Sequence, residues 1–174
     1  MISKAHSMMK IQIGSLSEGL HEYQFETDAG DIDLGEGFAG PVAVKVVLEK
    51  TGNQMRLTGS VSAAGSFPCD RCTREFSLPV SASYRMYYVT EGGEFAGIDP
   101  SELQVVAPGS GWIDIQDDVR QTILLAVPLK LLCSDQCRGL CPHCGKNLNT
   151  ESCSCTVEQE DTRWEALKPL RGTN

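Results

Sequence analysis

The residues in this sequence best suited to chemistry are its eight cysteines. Cys69-Asp70-Arg71-Cys72 forms one group. Cys133, Cys137, Cys141-Pro142-His143-Cys144-Gly145 and Cys153-Ser154-Cys155 form the other. Their spacing suits tetrahedral metal binding. Zinc takes four soft ligands with sulfur about 2.3 Å away, and two cysteines separated by two residues reach one ion from a single tight turn. The glycine after Cys144 lets the backbone curl until amide N–H groups face the thiolate sulfurs. A lone CxxC says little, whereas two of them with four further cysteines point strongly to metal.

Eight cysteines divide into two sites of four. The preferred grouping gives Cys141, Cys144, Cys153 and Cys155 to one zinc ion, and Cys69, Cys72, Cys133 and Cys137 to a second. The alternative places Cys133, Cys137, Cys141 and Cys144 on one ion. Cys153-x-Cys155 is tighter than the usual knuckle, and four thiolates suit iron as well as zinc. A structural zinc contributes about 10–16 kcal/mol of apparent binding free energy in small peptides. Total domain stability is only about 5–15 kcal/mol. Residues 133–155, poor in apolar side chains, are therefore expected to order around metal.

Other chemistries fit less well. A thioredoxin-like role for Cys69 and Cys72 needs a βαβ setting, and the surroundings read as β. A zinc hydrolase or deaminase needs an open coordination position and a general base, and no His-x-Glu stands beside a CxxC. His143 is expected to face solvent. His6 and His21 stand alone, and Trp112 and Trp164 read as packing residues. There is no Gly-rich phosphate loop, so neither an enzyme nor a small-molecule substrate is expected.

The formal charge of −8 argues against coating nucleic acid by neutralising its phosphates, and eight thiolates holding two zinc ions would carry it further negative. Local basicity at Lys130, Arg138 and Lys146 remains available for a ribonucleoprotein partner. Residues 1–20 hold no continuous apolar run, and the stretch around Ile123–Leu132 is broken by Pro128 and Lys130. The expectation is a cytoplasmic protein without a membrane span, where disulfides are rare.

The elements that must position these cysteines read as α+β: a β-rich body with a covering helix over 1–130, then a cysteine-rich zinc-binding segment and a short C-terminal helix over 131–174. Val42, Val44, Val46 and Leu48 alternate with more polar neighbours. After a Gly52-Asn53 turn, Leu57, Gly59, Val61 and Ala63 continue the alternation, which predicts a hairpin. Phe76–Thr90 reads as a further strand with Tyr84, Met86 and Tyr88 on one face, and Gly92–Pro100 as an exposed loop. Asp114–Val127 reads as a helix, with Asp114 at its start and Pro128 stopping it. A second helix is expected over about Val157–Leu167.

The string Gly139-Leu140-Cys141-Pro142-x-Cys144-Gly145-x-Asn147-Leu148-Asn149 resembles the YceD family, the large ribosomal RNA subunit accumulation proteins. So do Cys69-x-Arg71-Cys72 followed by Phe76, Leu125-x-Val127-Pro128, Cys133 and Cys137, Cys153-x-Cys155, and the terminal Asp161-x-Arg163-Trp164-x-x-Leu167-x-x-Leu170. The resemblance covers roughly residues 67–170, with Thr162 a departure where proline is common. It implies a cytoplasmic, non-enzymatic role in synthesis, processing or stability of large-subunit (23S) ribosomal RNA, with ribosomal precursors or assembly components as partners. It also implies pairing of Cys69 and Cys72 with a ligand near position 133, because some members keep those positions and lack the Cys141–Cys155 group. A thiol redox protein, or a zinc-stabilised interaction module unrelated to ribosomes, stands as the alternative.

Overall fold

The longest alternating runs become the longest strands. The computed structural model describes residues 9–90, 97–107 and 109–155. Their elements in chain order are β1 (Lys10–Gln12), β2 (Gly19–Asp28), β3 (Pro41–Thr51), β4 (Gln54–Pro68), β5 (Glu75–Val89), a 3-10 turn (Pro100–Glu102), β6 (Leu103–Val105), β7 (Trp112–Asp114) and α1 (Gln116–Ala126). Strands β2 to β5 make an antiparallel meander, β6 joins β5 in parallel, and β1 pairs with β7 in a separate two-stranded sheet. With one helix among the described residues and a cysteine-rich segment after it, the molecule is β-rich and α+β.

The β3–β4 hairpin has the expected register. Leu48 lies opposite Leu57 and Val44 opposite Val61, across the Gly52-Asn53 turn. Strand alternation puts Val42, Val44, Val46, Leu48, Met55 and Leu57 on one face, all at most 2% exposed. Each such side chain contributes about 1.5–3 kcal/mol by leaving water. On β5, Met86 and Tyr88 share that face, and the Tyr84 ring crosses Gly59, its strand partner, where any Cβ would collide with it.

The helix begins at Gln116 rather than Asp114, because Asp114 is held in β7 opposite Lys10. Its carboxylate still accepts the Gln116 N–H at 3.0 Å. Ile115, Val119 and Ile123 are buried in the main core, and the helix meets chiefly β5 and β4. It ends at Ala126, ahead of Pro128, whose ring disfavours helical backbone at the preceding residue. Trp112 departs from its expected packing role: it sits on the short strand β7 and is 52% exposed. The expected helix over 157–167, Trp164, His6 and residues 92–96 of the expected loop lie outside the described residues.

Candidate metal centres

The first centre is built on the tip of the longest hairpin. β4 ends at Pro68 and β5 begins at Glu75, so Cys69–Arg74 is the turn between them. The Cys69 N–H donates to the Arg74 carbonyl at 2.9 Å and the Thr73 N–H to the Cys69 carbonyl at 2.8 Å, which close the knuckle. Thr73 takes the left-handed conformation this requires, at φ 57°. The segment after α1 is laced to this turn. The Asp70 N–H donates to the Leu131 carbonyl (2.8 Å), the Leu131 N–H to the Asp70 carboxylate (2.6 Å), and the Arg71 guanidinium to the Cys137 carbonyl (2.7 Å). Cys133 and Cys137 thereby face Cys69 and Cys72. Sulfur separations are 3.8 Å for Cys69–Cys137 and 3.6 Å for Cys72–Cys133. Cys69, Cys72 and Cys137 are buried, with Phe76 and Leu132 packed around them.

The second centre is local. Leu140 and Asn147 bridge as a minimal antiparallel ladder, and the chain between them turns through Cys141–Lys146. The Cys141 N–H donates to the Lys146 carbonyl at 2.8 Å and the Gly145 N–H to the Cys141 carbonyl at 2.9 Å. Gly145 sits at φ 73°, where glycine carries no Cβ penalty. Cys153 lies 3.4 Å from Cys141 and 3.5 Å from Cys144, and its sulfur accepts the Cys155 N–H at 3.3 Å. Cys144 and Cys155 are exposed.

All eight cysteines are free thiols, and each set of four has its sulfurs within 4.8 Å of one another. A tetrahedron with sulfur about 2.3 Å from a central ion has edges of about 3.8 Å. The observed separations of 3.4–3.8 Å match that cage, whereas a disulfide would bring sulfurs to about 2.05 Å. The donor set therefore fits zinc. The 4 + 4 grouping is the preferred one; the alternative grouping of Cys133 and Cys137 with Cys141 and Cys144 is not formed.

Proton affinities within each cage are split, as expected where several thiolates crowd together. The Cys69 thiol is lowered to about 6, foremost by the backbone N–H of Cys133, while burial pushes Cys133 up to about 12. Cys141 is lowered to about 6 by the N–H groups of Cys144 and His143, while hydrogen bonding to Cys153 raises Cys155 to about 12. Amide dipoles thus favour some thiolates in each set, and a divalent cation would deprotonate the rest. At Cys137, burial opposes ionisation, but the Gly139 N–H and the Asn149 amide bring the thiol below its ordinary value.

His143 is exposed and belongs to neither set. Lys130, Arg138 and Lys146 are exposed too. Spacing alone did not single out Asp70, Arg71, Thr73 and Asn149, which hold the cages from outside. For the asparagine, the signal was its place in a turn-rich string, where short amides bond the backbone.

A family model described as "Large ribosomal RNA subunit accumulation protein YceD" matches residues 57–171. The Arabidopsis thaliana protein named large ribosomal RNA subunit accumulation protein YCED homolog 1, chloroplastic, is 24% identical over 164 residues, covering 80% of this chain and 50% of its own. Its Zea mays counterpart is 27% identical over 158 residues, covering 76% and 53%. Bacillus subtilis YlbN is 27% identical over 131 residues, covering 75% and 74%. The chain spans about half the length of the two plant relatives. No solved structure matches significantly.

Proposed function

This chain belongs to the YceD family of large ribosomal RNA subunit accumulation proteins, and from that premise we propose that it is a non-enzymatic, zinc-bound factor supporting synthesis, processing or stability of large-subunit ribosomal RNA. The observation that carries the reading is the coincidence of the family match, residues 57–171, with the region that holds both cysteine cages. Cys69, Cys72, Cys133 and Cys137 hold one ion; Cys141, Cys144, Cys153 and Cys155 hold the other. Zinc bound by four thiolates acts as a structural crosslink. In this reading the protein works in the cytoplasm and engages ribosomal precursors or large-subunit assembly components. Among the described residues no helix is long and apolar enough to cross a membrane.

Contact is made by the metal-held loop around Gly139–Asn149, where exposed Arg138 and Lys146 offer cations to a partner's phosphates or carboxylates. Rigid, metal-held cations lose little freedom on binding, which lowers its cost. Replacing both with Glu reverses that charge without touching a sulfur. In cells depleted of the native protein, the double variant should fold and carry metal yet fail to restore the ratio of large- to small-subunit ribosomal RNA. Normal restoration by it would remove this loop as the contact surface. Failure of depletion itself to lower that ratio would remove the ribosomal reading.

A thiol redox role for Cys69 and Cys72 has less support. The Cys69 and Cys72 sulfurs share one cage with two cysteines of the later segment, Cys137 and Cys133, instead of standing as an isolated pair.

A further inference from the structure

The two cages are not independent. Cys137 belongs to the first, and the side chain against its sulfur comes from the loop that closes the second. The Asn149 carboxamide makes three bonds. Its Oδ1 accepts the Arg138 N–H at 2.8 Å, and its Nδ2 donates to the Cys137 sulfur at 3.4 Å and to Asn147 Oδ1 at 2.8 Å. The Arg138 N–H needs an acceptor, so the oxygen faces it and the NH2 group is left to face sulfur. That uses both amide protons. Asn147 Oδ1 also accepts the Asn149 N–H at 3.0 Å, which leaves the amide little freedom to turn away.

Asn147 is itself placed by the second centre. It bridges Leu140 at the far end of the Cys141–Lys146 knuckle, and the Leu148 N–H donates to the Gly139 carbonyl at 2.9 Å. The other leg of this ladder rests on the first knuckle. The Leu140 N–H donates to the Arg71 carbonyl at 3.1 Å, and Gly139, at φ 76°, approaches that carbonyl so closely that a Cβ would press on it. One small ladder therefore touches the first knuckle on one strand and a first-cage sulfur through the other.

We propose that Asn149 is a positioning residue for the first metal centre: it brings an N–H donor to the Cys137 thiolate from a loop that is ordered by metal at the second centre. Filling the second cage tightens metal at the first. This rests on the reading that both cages hold zinc. Groups that hydrogen-bond a ligand without touching the metal typically change metal affinity 10–100-fold when removed.

The test is Asn149→Asp in the full chain, compared with wild type and with Cys144→Ser. Aspartate keeps an oxygen for the Arg138 N–H and loses the donor to sulfur. Zinc per chain is counted by native mass spectrometry during chelator challenge, and cobalt replaces zinc in parallel samples to record the sulfur-to-cobalt charge-transfer band. Expected are two ions in the wild type, release of first-cage metal about tenfold faster or more in Asn149→Asp with the second cage still filled, and a charge-transfer band shifted to longer wavelength. Cys144→Ser should also speed loss from the first cage, and adding Asn149→Asp to it should change that rate little further. Unchanged release and an unshifted band in Asn149→Asp, with two ions in the wild type, overturn the coupling alone. A wild type purified from native levels of expression without metal in either cage overturns the reading beneath it as well. If Asn149→Asp proves unfolded, Asn149→Ser provides the same measurement, with the same outcomes deciding.

Discussion

The two four-cysteine cages share a knuckle and differ in nearly everything else. In both, the first cysteine's N–H reaches the carbonyl five residues on, and the residue after the second cysteine is left-handed and donates back to the first cysteine. The first knuckle is the tip of the β4–β5 hairpin, and its remaining ligands arrive from residues 61 and 68 positions away in the chain. Three of its four cysteines are buried. The second cage is drawn from Cys141–Cys155, and two of its cysteines are exposed. The same turn thus serves two purposes. Filled with metal, one cage would close a long loop and pin the later segment to the sheet, and the other would order a short stretch poor in apolar side chains. Loop-closure entropy rises only slowly with loop length, so burial, more than span, should separate them in stability.

The comparison breaks most visibly through the ligands. Cys69→Ser or Cys137→Ser should lower the unfolding midpoint followed by circular dichroism by roughly 10 °C or more, since several kcal/mol is lost from a domain where each one moves the midpoint about 2–4 °C. Cys144→Ser or Cys155→Ser should move the sheet's midpoint by only a few degrees, about a quarter of that shift or less. Equal shifts from both sets would mean the cages play the same role. Next in size, a chelator should empty the cages in two steps. A metal-sensitive dye reading one ion per chain in the fast phase would sharpen the distinction, and a single phase releasing both would abolish it.

A smaller effect separates the knuckles themselves. Thr73 is β-branched at φ 57°, while Gly145 sits at φ 73°; left-handed backbone costs a residue with a Cβ about 1–2 kcal/mol. Gly145→Thr should cost about that much and lower occupancy of the second cage. Thr73→Gly should stay within about 1 kcal/mol of wild type, because relief of strain is offset by a freer unfolded chain and by loss of the Thr73 hydroxyl bond to the Cys72 carbonyl. Denaturant midpoints with metal counts would decide. The smallest effect lies in the first turn of α1, away from both cages. Burial raises the Asp118 carboxyl above its ordinary value, against hydrogen bonds from Tyr88 and Gln104 that lower it. The native state then holds a proton that the unfolded chain, titrating near about 3.9, has released. This group's contribution to stability therefore declines as pH climbs from about 4 through its native value. Asp118→Asn should flatten that slope in pH-dependent melts while leaving the metal content unchanged.

Much of this was legible in the residues. The alternation through Val42–Leu48 and Leu57–Ala63, interrupted only by small or apolar outward residues such as Val47, fixes a register because a slip by one residue would turn the buried apolar set to solvent. The 4 + 4 grouping was readable because Cys141–Cys155 is short enough to close on itself, which leaves the four remaining cysteines to meet. Elsewhere local pattern was insufficient. The start of α1 was misplaced by two residues because Asp114, a good capping residue, is taken by strand pairing with Lys10. Strands β1, β6 and β7, three residues each, are too short to show a period. Thr73 gave no sign of left-handed backbone, since the knuckle imposes it against the residue's own preference. The Asn149 contact with Cys137 depends on two turns meeting in space, which no spacing rule describes.

The first cage has a consequence for how the protein is made. Cys69 and Cys72 emerge from the ribosome some sixty residues before Cys133 and Cys137. At about 5–20 residues per second, two thiols wait several seconds as a half-built site. During that interval the pair is open to capture by stray metal or oxidant, and the tip of the hairpin cannot be sealed. Chains stalled near residue 130 should therefore react fully with a thiol-alkylating reagent at Cys72, and chains extended through Cys155 in the presence of zinc should resist it.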